Sequence, residues 1–126
     1  MIVTKTGEPI EFVFAPRSHH DVRVLKSMPF SLPENAIIYA DTGYTDYDYE
    51  EILNEADLKF LPARRSNSKR PHSGPLSFLI TCFRKKVETV FSQITYLFPR
   101  TIHAVTSRGF ELKVFAFILA YSFRFL

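Results

Sequence analysis

The run Ala36-Ile37-Ile38-Tyr39-Ala40, closed off by Asn35 and Asp41, limits the choice of fold more than any other stretch of the chain. It is too short for a helix, and its β-branched residues read as a buried strand of a sheet covered on both faces. Thr45 or Asp46 then opens an acidic helix to Ala56, with Tyr49, Ile52, Leu53 and Ala56 on one face. Leu58 to Leu61 makes a second strand. The order strand, helix, strand implies a crossover with its strands in parallel. Asp41 then stands at the carboxyl end of a strand, where α/β sheets open their ligand crevices.

Elements of other kinds flank this unit. Residues 1–15 read as a hairpin around Thr6-Gly7-Glu8-Pro9, with Pro16 ending its second strand. Ser18 is expected to cap a short helix through Lys26, and Pro29 and Pro33 break the chain after it. Leu76 to Leu97 reads as one long helix, because Leu79, Phe83, Val87, Phe91 and Ile94 recur every three to four residues until Pro99. Phe110 to Phe125 is hydrophobic nearly all round. Glu111, Lys113 and Arg124 interrupt it, so it reads as a buried packing helix and not as a membrane span.

Charge is informative by position. Residues 1–60 carry 5 Lys and Arg against 11 Asp and Glu, whereas residues 61–126 carry 11 against 2. The basic half either meets a polyanion or is neutralised by the acidic half within one fold. Its densest part is a loop from Pro62 to Pro75, with Arg64, Arg65, Lys69 and Arg70 and almost nothing apolar, expected to be mobile. With Arg84, Lys85 and Lys86 these residues form a candidate surface for DNA phosphates. At 126 residues with 46% hydrophobic content, the chain is expected to form one domain with a real core. A single cysteine, Cys82, and an N-terminus without a secretory pattern point to a reducing cytoplasm. Cys82 reads as a packing residue, and His19, His20, His72 and His103 have no metal-ligand spacing.

Two carboxylates carry the candidate chemistry. Asp41 precedes Thr42-Gly43-Tyr44, where Gly43 permits a tight turn that leaves the carboxylate exposed. The alternative is that Asp41 caps the following helix. Glu88 is the one acid between Asp57 and Glu111, with Arg84 one turn earlier to brace it. Two carboxylates on one cleft can hold Mg²⁺, with water and phosphate oxygens completing its octahedron.

Together, ADTGY at 40–44, FRKKVETVFSQI at 83–94 and RTIHAVTSRGFELKV at 100–114 resemble the DDE transposases of bacterial insertion sequences, most closely the insertion sequence 982 family. The similarity extends to the opening VTKTGEPIEFVFAPRSHHDVRVL. The resemblance implies an α/β, ribonuclease-H-like fold with a mixed sheet and flanking helices. It also implies three acids, Asp, Asp and Glu, that bind two Mg²⁺ (or Mn²⁺) ions and catalyse strand cleavage and transfer at transposon ends. Asp41 matches the second acid and Glu88 the third, as catalytic residues and metal ligands.

This chain departs from the family pattern in several places. The first acid belongs on a strand upstream of the opening hairpin, and Asp21, which follows His19-His20 at a helix start, is a poor substitute. The DNA-binding region that precedes the core in that family is also missing. Thr95 stands where related families carry a Lys seven residues after the Glu. Residues 1–126 are therefore expected to be the C-terminal part of a transposase catalytic domain, truncated at its N-terminus and inactive alone. The expected partners are DNA and either a full-length transposase or a second copy, with no membrane and no small-molecule substrate. The alternative is a noncatalytic remnant that binds DNA or inhibits a transposase. Loss of the first strand would expose a sheet edge prone to pairing with other chains.

Overall fold

A computed structural model describes the chain except for Pro16, Arg17, Pro29 and Arg100. The expected strand stop at Pro16, the chain break at Pro29 and the first residue of the 100–114 motif lie outside the described residues. The architecture is mixed α/β, and the chain does not pack as one undivided body but as two compact units, Ala15–Lys85, and Met1–Phe14 together with Lys86–Leu126. Nor do the described strands join into one mixed sheet. They form a two-stranded antiparallel sheet and a separate two-stranded parallel sheet.

Ala15–Lys85 contains the predicted crossover. Strand β3 (Ile37–Ala40) leads through a short 3-10 turn, Thr42–Tyr44, to helix α2 (Tyr47–Glu55) and strand β4 (Lys59–Pro62). The strands pair in parallel with Ile37 opposite Lys59 and Ala40 opposite Pro62. Asp46 is the cap of α2, its side chain accepting from the Tyr49 amide. Leu53, Leu58 and Phe60 bury against Leu25 of helix α1 (Asp21–Ser27), with Ile38, Ala40 and Tyr49 packed around them. Two expectations fail here: Ile37, in a sheet of two strands among the described residues, and Ile52 stay exposed, so neither β3 nor the predicted face of α2 is fully covered. Pro62 ends β4 as one of the most deeply buried residues, and His72 Nε2 donates to its carbonyl at 2.9 Å.

The predicted long helix is two helices, α3 (Gly74–Arg84) and α4 (Lys86–Leu97). The last turn of α3 is fastened to the end of β3, with Phe83 stacked on Tyr39 at 5.0 Å and Arg84 paired with Asp41. Lys85, with φ of −74° and ψ of −8°, is a single turn residue between the two helices. Ser73 caps α3, and Cys82 is exposed instead of packed.

The other unit combines the hairpin β1 (Ile2–Val3) and β2 (Pro9–Glu11) with α4 and α5 (Ser107–Ser122), which ends in a 3-10 turn, Phe123–Phe125. Gly7 closes the hairpin with φ of +98°, a left-handed conformation that favours glycine, and its amide donates to the Thr4 carbonyl. Val90, Ile94, Ile118 and Tyr121 form the core, joined by Val3, Phe12, Val114 and Phe117. Phe98 stacks on Phe117 at 4.9 Å, and Tyr121 donates to Gln93 Oε1. The expectation that α5 is buried all round fails. Its packed face is matched by an opposite face on which Leu112 and Leu119 are exposed. No helix among the described residues is long and apolar enough to cross a membrane.

Candidate functional site

Asp41 lies at the first residue past β3, in extended backbone with φ of −76° and ψ of 166°. Its side chain makes no capping hydrogen bond to the 3-10 turn, and α2 has its own cap in Asp46. The capping alternative is thereby excluded. The carboxylate is 43% exposed, and its Oδ1 accepts from Arg84 Nη1. Arg84 thus pairs with Asp41, where the sequence suggested a brace for Glu88. The i−4 pairing belongs to a continuous helix, and a turn at Lys85 stands between these residues.

Gly43 is needed for a different reason from the expected tight turn. A Cβ built there would lie 2.5 Å from Asp21 Oδ2, so the glycine lets the first turn of α1 approach the Asp41 loop. Asp21 is a neighbour of the site that sequence reasoning set aside. No local signal links it to Asp41, because the approach is made by the packing of α1. Tyr44 reports the result. Burial, and then the negative charges of Asp21 and Asp41, push its phenol above the ordinary tyrosine range. The neighbourhood is therefore Asp21, Asp41, Tyr44 and Arg84, two acids and one guanidinium at the end of a parallel strand.

Glu88 lies in the first turn of α4 and is exposed. It belongs to the other unit, so the two predicted acids are each positioned by their own unit. Among the described residues no group of three or more His, Cys, Asp or Glu could hold a metal ion. Thr95 turns its hydroxyl back to the carbonyls of Phe91 and Ser92 on its own helix.

The basic loop is not the free tract its composition suggested. Arg64 makes a bidentate pair with Glu50 at 2.8 and 2.5 Å, the two side chains only 9% and 11% exposed. Arg64 Nε also donates to the Arg70 carbonyl, closing the loop on itself, and Arg70 pairs with Glu51 at 2.8 Å. Both guanidiniums lie over the Tyr47 ring, whose hydroxyl meets Ser68 at 2.8 Å. Arg64 is therefore spent on α2 and unavailable to a phosphate in this arrangement, and the loop is fastened where it was expected to be mobile. Arg65, Lys69 and Lys85 are exposed, and Lys86 is half-buried.

No protein-family model, curated protein or solved structure matches the chain.

Proposed function

We propose that the chain is the C-terminal part of a DDE transposase catalytic domain with an incomplete ribonuclease-H-like fold. In this reading Asp41 and Glu88 are two of its three metal-binding acids, and it serves DNA strand cleavage and transfer in the bacterial cytoplasm only when completed by the segment that carries the third. The observation that carries the reading is the state of Asp41. It stands beyond the carboxyl end of a parallel strand, unused as a cap and open to solvent. Arg84 orients one carboxylate oxygen, and Gly43 keeps the loop free of a side chain. Bound Mg²⁺ or Mn²⁺ supplies stabilisation of the attacking and leaving oxygens in phosphodiester cleavage. In this reading the exposed Arg65, Lys69 and Arg70 of the basic loop meet the DNA backbone together with Lys85 and Lys86, and their contribution should fall steeply with added salt.

The Arg84–Asp41 pair also favours a second reading, a noncatalytic binder of DNA or of a full-length transposase, because a neutralised carboxylate is a poorer metal ligand. A Mn²⁺ titration followed by amide NMR separates the two. The catalytic reading expects residues 41–44 and 86–89 to broaden together at low metal concentration, and Asp41→Asn or Glu88→Gln to abolish both effects. Broadening at one segment alone would sink it. In either reading the purified chain does not nick transposon-end DNA in Mg²⁺.

A further inference from the structure

α5 is apolar on two opposite faces, and among the described residues only one of them packs into a core. Val114, Phe117, Ile118 and Tyr121 pack into the core. At about 100° per residue, Leu112, Ala116, Leu119 and Phe123 fall within about 60° of one another on the other side. Ala116 is exposed, and Leu112, Leu119 and Phe123 are 68%, 50% and 62% exposed. Their spacing of four, three and four is the repeat of a two-helix seam.

We propose that this face docks a second copy of the chain, α5 against α5, antiparallel about a twofold axis passing between positions 117 and 118. The seam is self-complementary in that direction. Leu112 meets the other copy's Phe123, and Ala116 meets its Leu119, so small opposes large at the centre. A parallel pairing in register would set Ala116 on Ala116 and Phe123 on Phe123. Charge selects the same direction. Arg108 is exposed in the first turn of α5, where its own helix end disfavours a cation. On the antiparallel partner it faces the carbonyl end of α5, where a cation is favoured. No charged residue interrupts the seam, since Lys113 lies to one side and donates to the His103 carbonyl.

Area sets the strength. With Phe115 at its margin, the face offers roughly 450 Å² of apolar surface per copy, so the pair buries about 900 Å², below the standard size and in the range of weak, transient interfaces. A weak dimer follows, with Kd on the order of 10 μM. This inference does not rest on the proposed function.

Sedimentation of the intact chain between about 1 and 200 μM tests it across that expected Kd. The mass should rise from 14.6 kDa toward twice that value. Leu119→Glu should weaken association at least about tenfold with unchanged circular dichroism, because the position is solvent-facing in the monomer. Phe78→Glu, on α3, should leave it unaltered. In a Cys82→Ser background, a short bismaleimide should couple Ala116→Cys to itself. It should not couple Leu112→Cys, whose two copies stand about 16 Å apart along the axis. A monomer throughout the range, a dimer indifferent to Leu119→Glu, or equal coupling at both cysteines overturns the proposal. Should Leu119→Glu unfold the chain, the cysteine pair decides.

Discussion

The two units solve the same problem of cohesion with different forces. Ala15–Lys85 is fastened by charge: Arg64 to Glu50, Arg70 to Glu51, Lys26 to Asp46 and Arg84 to Asp41 all tie one of its elements to another. Met1–Phe14 with Lys86–Leu126 is fastened by rings, Phe98 on Phe117, Phe12 against Phe115 and Tyr121 against Phe125. The contrast shows where the uneven charge of the sequence goes. Part of the acidic first half is neutralised by the loop that follows it, inside one unit, and this removes Arg64 from any count of cations offered to a polyanion, whereas Arg70 keeps half of its side chain exposed.

The contrast makes predictions that can break it. The largest effect should come from the ring-packed unit, where Tyr121→Ala removes a fully buried side chain and the donor to Gln93. It should cost about 3–5 kcal/mol in urea unfolding, with little dependence on salt. Glu50→Gln leaves the Arg64 guanidinium nearly buried without its counter-charge, which should cost about 3 kcal/mol. Replacing both residues by apolar ones should cost less than either single change, and a double-mutant cycle reads the difference. Equal sensitivity of the two units to salt would erase the comparison.

The smallest effect concerns Asp46. A hydrogen bond from Lys26, and then one from the Tyr49 amide, hold its carboxyl below the ordinary aspartate value. A pKa lowered on folding contributes stability above the unfolded value, which is lost as pH falls through the folded value. Melting temperature should therefore fall on acidification, and Asp46→Asn, which keeps a capping oxygen, should reduce that fall without removing the helix.

Local patterns in the sequence were readable, and relations across distance were not. The crossover was legible because Ala36–Ala40 is short and apolar, and because Asp46 precedes a run with helical spacing. The break at Lys85 left no mark: neither proline nor glycine stands there, and the apolar spacing runs through it. Beside it Arg84 pairs with a residue 43 positions earlier, a contact that no local pattern announces. The basic loop was misread for a similar reason, since its partners Glu50 and Glu51 lie 14 and 19 residues away from the arginines they hold. At the candidate site, Asp41 was found from its position after a strand, whereas Asp21 was hidden because only the packing of α1 brings it to Gly43.

The end of β4 bears on how this chain behaves in company. The amides of Lys59 and Ala63 donate to the carbonyls of Ala36, just before β3, and Ala40, its last residue, at 3.0 and 2.8 Å, so the alternate residues Phe60 and Pro62 direct their backbone polar groups to the outer side. Pro62 has no N–H to offer there, and its outward carbonyl already holds the His72 imidazole. An intruding strand would find neither donor nor acceptor at that rung, so this margin of the parallel pair resists runaway addition of further chains.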